Sequence, residues 1–219
     1  MNRALRNLAL PAATVVAAVV LSACGSTTNS ASPGNGGMPG MNSSSTNTAQ
    51  STTGTPASGP HNAADVSFAT DMIPHHAQAV TMAEMAATQA TAADIKTLAT
   101  AITSAQGPEI QQMSGWLAGW GAPVPVVGDH NMSAMGGDTM DGMMSDQEMS
   151  DLGNATGTAF DRMWLQLMTT HHEGAIAMSK TELSAGQNSD AKALAQSIID
   201  GQTAEIATMK SLLAAVPAS

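Results

Sequence analysis

An all-α four-helix bundle, made from one helical hairpin used twice, is the fold this chain predicts. Three observations carry it. The pattern Met-x-x-His-His with a further Met six residues on occurs as Met72, His75, His76, Met82 and again as Met168, His171, His172, Met178, a spacing that gathers its residues on one side of an α-helix. The offset of 96 residues between these copies also aligns, without a gap, Asp65 with Asp161, Lys96 with Lys192, Ile102 with Ile198, Gln106 with Gln202, Glu109-Ile110 with Glu205-Ile206 and Met113 with Met209, so each copy is a whole two-helix unit. Composition agrees: Ala, Met, Leu and Ile are plentiful, while Tyr is absent and Phe and Trp number 2 and 3, which suits helices packed through small residues and not a β-sandwich.

The elements follow in order. Arg3 and Arg6, an apolar run from Leu8 to Leu21 and small residues up to Cys24 have the layout of an export signal, and the run is short for a membrane span. Leu21-Ser22-Ala23-Cys24-Gly25 resembles a bacterial lipobox. That resemblance implies residues 1–23 are a lipoprotein signal and that Cys24, the single cysteine, is acylated, which leaves no thiol for redox chemistry or a Cys-based metal site. Residues 24–61 are mostly Ser, Thr, Asn, Gly, Pro and Ala and read as a disordered tether reaching about 30–36 Å. The domain is then 62–219, with hairpin one at 64–119, a Met-rich linker at 120–157 and hairpin two at 158–215. Helices are expected over 65–88, 92–119, 158–185 and 190–215, with Thr91 and Ser189 as cap candidates, Gly186 as a stop, and kinks at Pro74 and Pro108. Ser145-Asp146-Gln147-Glu148 has the form of a capping box inside the linker.

The repeated thioethers and imidazoles, Met72, His75, His76, Met82, Met168, His171, His172 and Met178, form a ligand set for a soft or borderline transition metal. In an antiparallel hairpin turning near Ala90 and Thr91, Gln106 falls beside His75, Glu109 beside Met72 and Met113 beside Phe68. The second hairpin repeats this with Gln202, Glu205 and Met209. Glu109 and Glu205 are therefore candidates to orient the imidazoles or to ligate directly. With the first helices of the two hairpins parallel, as in an up-down-up-down bundle, both His pairs would sit at one height and build one shared site or two adjacent ones. The linker adds an auxiliary donor set in His130, Met132, Met135, Met140, Met143 and Met144, whose alternative is a lid covering apolar surface. The alternative for the His pairs is a structural role in the core.

Asp71-Met72-Ile73-Pro74-His75-His76, Gln106-x-Pro108-Glu109-Ile110 and Met168-x-x-His171-His172-Glu173-Gly174-Ala175-Ile176 resemble the DUF305 family over everything after the tether. The resemblance implies a ferritin-like four-helix fold, an extracytoplasmic location and, for some members, copper binding and tolerance. The donors point the same way. Glu-x-x-His, which a di-iron bundle needs, does not occur, zinc gains little from thioethers, and copper uses both donor types. The expectation is a copper-binding protein held at the cell membrane through lipidated Cys24, buffering copper or passing it to or from a partner protein, with zinc or no metal as alternatives. A copper-dependent oxidase-like enzyme is its chief rival and a metal-free envelope adaptor the third reading; no nucleophile with a base partner, phosphate loop or cofactor fingerprint is present. The formal net charge of −10 argues against nucleic acid.

Overall fold

In a computed structural model, residues 59–126 and 140–217 are described. Among them the chain forms α1 (Ala63–Gln89), α2 (Ala93–Gly119), the short α3 (Asp146–Asn154), α4 (Gly157–Ala185) and α5 (Ser189–Ala215). The long helices are the four expected. The proline kinks expected at Pro74 and Pro108 do not end α1 or α2, which continue through them. Ser145 caps α3 with the capping box read from its sequence. No described helix is long and apolar enough to cross a membrane. Cys24, the tether to residue 58, and His130, Met132 and Met135 lie outside the described residues.

The helix starts show how the hairpins meet. Asn62 caps α1 through a capping box with Asp65, and α5 is capped by Asn188, not by Ser189. At α2, Thr91 caps nothing with its side chain. Asp161 of α4 instead accepts from the Thr91 and Ala92 amides at 2.9 and 3.2 Å and from the Thr91 hydroxyl. Asp65 of α1 does the same at the equivalent place, accepting from the Gln187 and Asn188 amides at 3.0 and 2.8 Å. These are N-terminal backbone donors that no helical carbonyl reaches. Each hairpin thus caps the other's turn.

That exchange corrects the parallel arrangement. The start of α1 lies at the end of α4 and the start of α4 at the end of α1, so the two run antiparallel; the Trp164 indole N–H donating to the Met82 carbonyl at 2.8 Å fits the same register. The 96-residue repeat says that the hairpins are alike and nothing about their relative direction, which the crossed caps decide. With α1 and α4 opposed, α2 and α4 are parallel, and the linker must travel the length of a 27-residue helix, about 40 Å. This is the single long crossover of ferritin-like bundles, not an up-down-up-down one.

Two apolar clusters fill the interior. One takes the C-terminal half of α1, the start of α2, the start of α4 and the end of α5, with Met82, Ile102, Trp164, Met168 and Met209. The other takes the opposite halves, with Phe68, Met72, Met113, Trp116 and Ile198. Between them, at mid-height on all four long helices, lie the histidines, Gln106, Glu109, Gln202 and Glu205.

Candidate metal centre

The mid-height layer is buried and polar. His75, His76 and His172 are 0% exposed and His171 1%. Because α1 and α4 are antiparallel about their middles, His75 and His171 face each other with ring centroids 3.8 Å apart and planes at 43°. The four histidines therefore do share one level, although by an opposed packing and not by the parallel one.

The glutamates sit one helical turn from the position that a simple hairpin count gives. Glu109 meets His76, not Met72, because three non-helical residues separate the helices at the turn. The Nε2 of His76 lies 2.7 Å from Glu109 Oε2, and that of His172 lies 2.7 Å from Glu205 Oε2. A carboxylate only accepts, so these Nε2 atoms carry protons and each Nδ1 is turned away from its glutamate. His75 donates from Nε2 to the Asp141 carbonyl at 3.3 Å. The Nδ1 atoms of all four histidines and the Nε2 of His171 are buried without a partner, as are both amide atoms of Gln106 and the Oε1 of Gln202. Unpartnered buried polar atoms are rare and cost about 1–3 kcal/mol each. Here eight of them collect in one layer.

Electrostatics keep the central pair neutral. Burial, with the neighbouring His76, pushes His75 down to about 3, and burial, with His75 beside it, holds His171 well below the ordinary imidazole range. Neutral imidazole is the form that binds metal. Both groups are depressed in the folded chain, so their stability contribution is complete above the unfolded pKa near 6.5 and is lost as pH falls below it, for His75 down to about 3. Metal-free protein followed by circular dichroism is expected to lose stability through that window, by about 1.4 kcal/mol per pH unit for each imidazole.

The methionines divide by cluster. Met72 and Met113, fully buried, and the partly buried Met178 belong to one; Met82, Met168 and Met209 belong to the other. Met72 and Met168 stand one turn before their histidines, whereas Met82 and Met178 lie farther along in the apolar halves. Among the described residues no three His, Cys, Asp or Glu side chains are gathered to hold an ion. The unpartnered imidazole nitrogens, and the thioethers of Met72 and Met168 one turn before them in sequence, are donor types that suit copper or silver better than a hard cation.

The sequence reading missed what covers this layer. Residues 140–144, part of the crossover, lie across α1 and α4 as a strap. Gln78 holds it by donating to the Met144 carbonyl and accepting from the Met144 amide, both at 2.8 Å, and Met144 is buried in the core. Gly142, at φ +82°, packs on Gly174: a Cβ on Gly174 would overlap the Asp141 carbonyl oxygen and lie 2.8 Å from Gly142 Cα. Gln78 and Gly174 are equivalent positions in the two copies, one gripping the strap and the other making room for it. A glycine inside a helical pattern is the signal that could have found the contact. Of the linker methionines described, Met144 is buried and Met140 and Met143 are partly exposed.

The family model for DUF305, a domain of unknown function, matches residues 65–213. No curated protein matches the chain. Among solved structures, a putative secreted DUF305 protein from Streptomyces coelicolor is 37% identical with a TM-score of 0.61, over 69% of this chain and 92% of that one. A DUF305 fragment from Deinococcus radiodurans is 31% identical with a TM-score of 0.60, over 73% and 99%. CopM, solved in Cu(I)-bound, Cu(II)-bound and Ag-bound forms, is 32% identical in the Cu(I) form with a TM-score of 0.55, over 68% and 94%. Its helical bundle, paired His-His motifs and family-model match place the chain in the DUF305 family.

Proposed function

We propose that this protein binds copper at the histidine layer and buffers it or hands it on outside the cytoplasmic membrane, tethered through lipidated Cys24. The observation that carries the reading is the cluster of buried, unpartnered imidazole nitrogens, with Glu109 and Glu205 turning His76 and His172 so that Nδ1 faces inward. A core histidine would have its nitrogens satisfied. The copper and silver forms of CopM, a relative at 32% identity, support the choice of metal, as do the methionines one turn from each His pair. Cu(I) suits the thioethers and imidazole suits both oxidation states.

Titrating the purified chain with Cu(I) and Cu(II) against competing chelators tests this. The wild type is expected to bind far more tightly than a variant with His75, His76, His171 and His172 all changed to Ala, and equal affinities would sink the reading. Glu109→Gln and Glu205→Gln remove the groups that hold the imidazoles, and each is expected to weaken binding about 10–100-fold while leaving the helical spectrum intact.

A further inference from the structure

The two sides of the histidine layer are finished differently. On one side the strap closes it: His75 bonds the Asp141 carbonyl at 3.3 Å, Gly174 lies against Asp141 and Gly142, and α1 and α4 pack closely beneath. On the other side α2 and α5 barely meet. Successive residues of a helix point about 100° apart. His76 and His172 are therefore turned away from the strap that covers their neighbours, and toward α2 and α5, where Glu109 and Glu205 receive them.

Along this second side the polar groups grade from solvent to core. The Glu109 and Glu205 side chains are 19% and 20% exposed, yet each bonds a histidine that is 0% exposed. One carboxylate thus touches both water and the buried layer. A helical turn before each glutamate stands a glutamine, Gln106 at 2% and Gln202 at 5% exposure, and the Oε1 atoms of both are buried without a partner. An amide oxygen left unpaired in a core is costly, and here the same atom is left so in both hairpins. Beyond them lie the unpartnered Nδ1 atoms of the histidines. Carboxylate, amide oxygen and imidazole nitrogen follow in order of depth, once from each hairpin, because Gln-x-x-Glu belongs to the 96-residue repeat.

We propose that the seam between α2 and α5 is the route by which a metal cation enters the histidine layer, with Glu109 and Glu205 capturing it from solvent and the amide oxygens of Gln106 and Gln202 passing it to the imidazoles. This route rests on the reading that the layer binds copper. Two carboxylates at an opening flanked by apolar clusters concentrate cations and turn anions away. The amides carry no charge, so they pass the ion inward without competing for it. The glutamates then have two tasks, orienting His76 and His172 and setting how fast the cation arrives, and kinetics separates the two.

Silver(I), which can be offered as the free ion in nitrate medium, is the probe, mixed by stopped flow with the full-length chain carrying Cys24→Ser so that no thiol binds it. Association is expected to slow as ionic strength rises. With Glu109→Gln and Glu205→Gln together it is expected to be about 10–100-fold slower and to lose that dependence. Glu109→Asp with Glu205→Asp keeps both charges on shorter arms that release the imidazoles; this variant is expected to retain fast, salt-dependent association and to lose silver sooner to excess chelator. Gln106→Leu with Gln202→Leu is expected to slow association while the helical spectrum is unchanged. An unchanged association rate and salt dependence in the double Gln variant overturns the route, even if dissociation is faster, because the glutamates would then only position the imidazoles. Equal equilibrium silver affinity with and without the four motif histidines overturns the copper reading and the route with it. Affinity that needs those histidines, with association unaltered in the double Gln variant, overturns the route alone.

Discussion

Metal-free His171→Leu is expected to melt above the wild-type protein while its copper affinity falls about a hundredfold, close to 2.8 kcal/mol. The two effects have one origin. His171 is 1% exposed, and neither ring nitrogen has a hydrogen-bond partner. In the metal-free chain each unmatched nitrogen costs about 1–3 kcal/mol. A leucine of similar bulk removes both penalties and keeps the packing between the two apolar clusters. The same nitrogens are what an ion would use, so the stabilised variant loses its ligand. A structural histidine behaves in the opposite way, because its bonds would be lost and the substitution would lower the melting temperature. Thermal unfolding of chelator-treated protein, paired with a competition titration, reads both effects. A lower melting temperature with unchanged affinity would place His171 in the core and not in a site.

The expected trade between stability and binding has a structural basis in the layer arrangement. Apolar clusters above and below hold the four long helices without help from the middle, so the middle can carry polar groups left for a ligand to satisfy. The crossed caps serve the same end. Asp65 and Asp161 pin each hairpin's turn to the first helix of the other, which fixes the antiparallel register and with it the meeting of His75 and His171.

Much of this was legible in the sequence, for identifiable reasons. Helix bounds followed from periodicity and punctuation, and the duplication from an unbroken offset. His75, His76, His171 and His172 were recognisable because adjacent pairs at matching positions with flanking methionines are an unusual use of six histidines. The direction in which α4 meets α1 was not legible, because a repeat fixes likeness and not orientation. Asp65 and Asp161 stood out as a matched pair, but their partners lie in the other hairpin, beyond any local capping rule. The one-turn displacement that brings Glu109 to His76 came from three non-helical residues at the turn, which a count of levels treats as a point. Gln78 and Gly174 went unnoticed because each departs from its repeat partner, and matching reads only what agrees.

Gly174→Ala is the substitution expected to disturb the site most without touching a donor. In an open helix position alanine is favoured over glycine by about 1 kcal/mol. Gly201 of α5, where an added Cβ would meet nothing within 4 Å, is the internal control, and Ala is expected to stabilise there. At Gly174 the added Cβ would overlap the Asp141 carbonyl oxygen and lie 2.6 Å from its carbon. These are backbone atoms, which no rotamer change can move aside. The strap therefore has to lift. Lifting it breaks the two bonds between Gln78 and Met144 and the His75 contact with Asp141, and withdraws Met144 from the core. Overpacking of this kind costs about 1–3 kcal/mol, more than the helix-propensity gain returns. Amide exchange at residues 140–144 is expected to accelerate, and His75, now uncovered, to react faster with an imidazole-modifying reagent. Copper association should quicken as well, since His75 and His171 are closed to solvent on the side the strap covers. Unchanged exchange in the strap, with a melting temperature raised as in Gly201→Ala, would show that the strap yields without leaving and does not control access to the histidine layer.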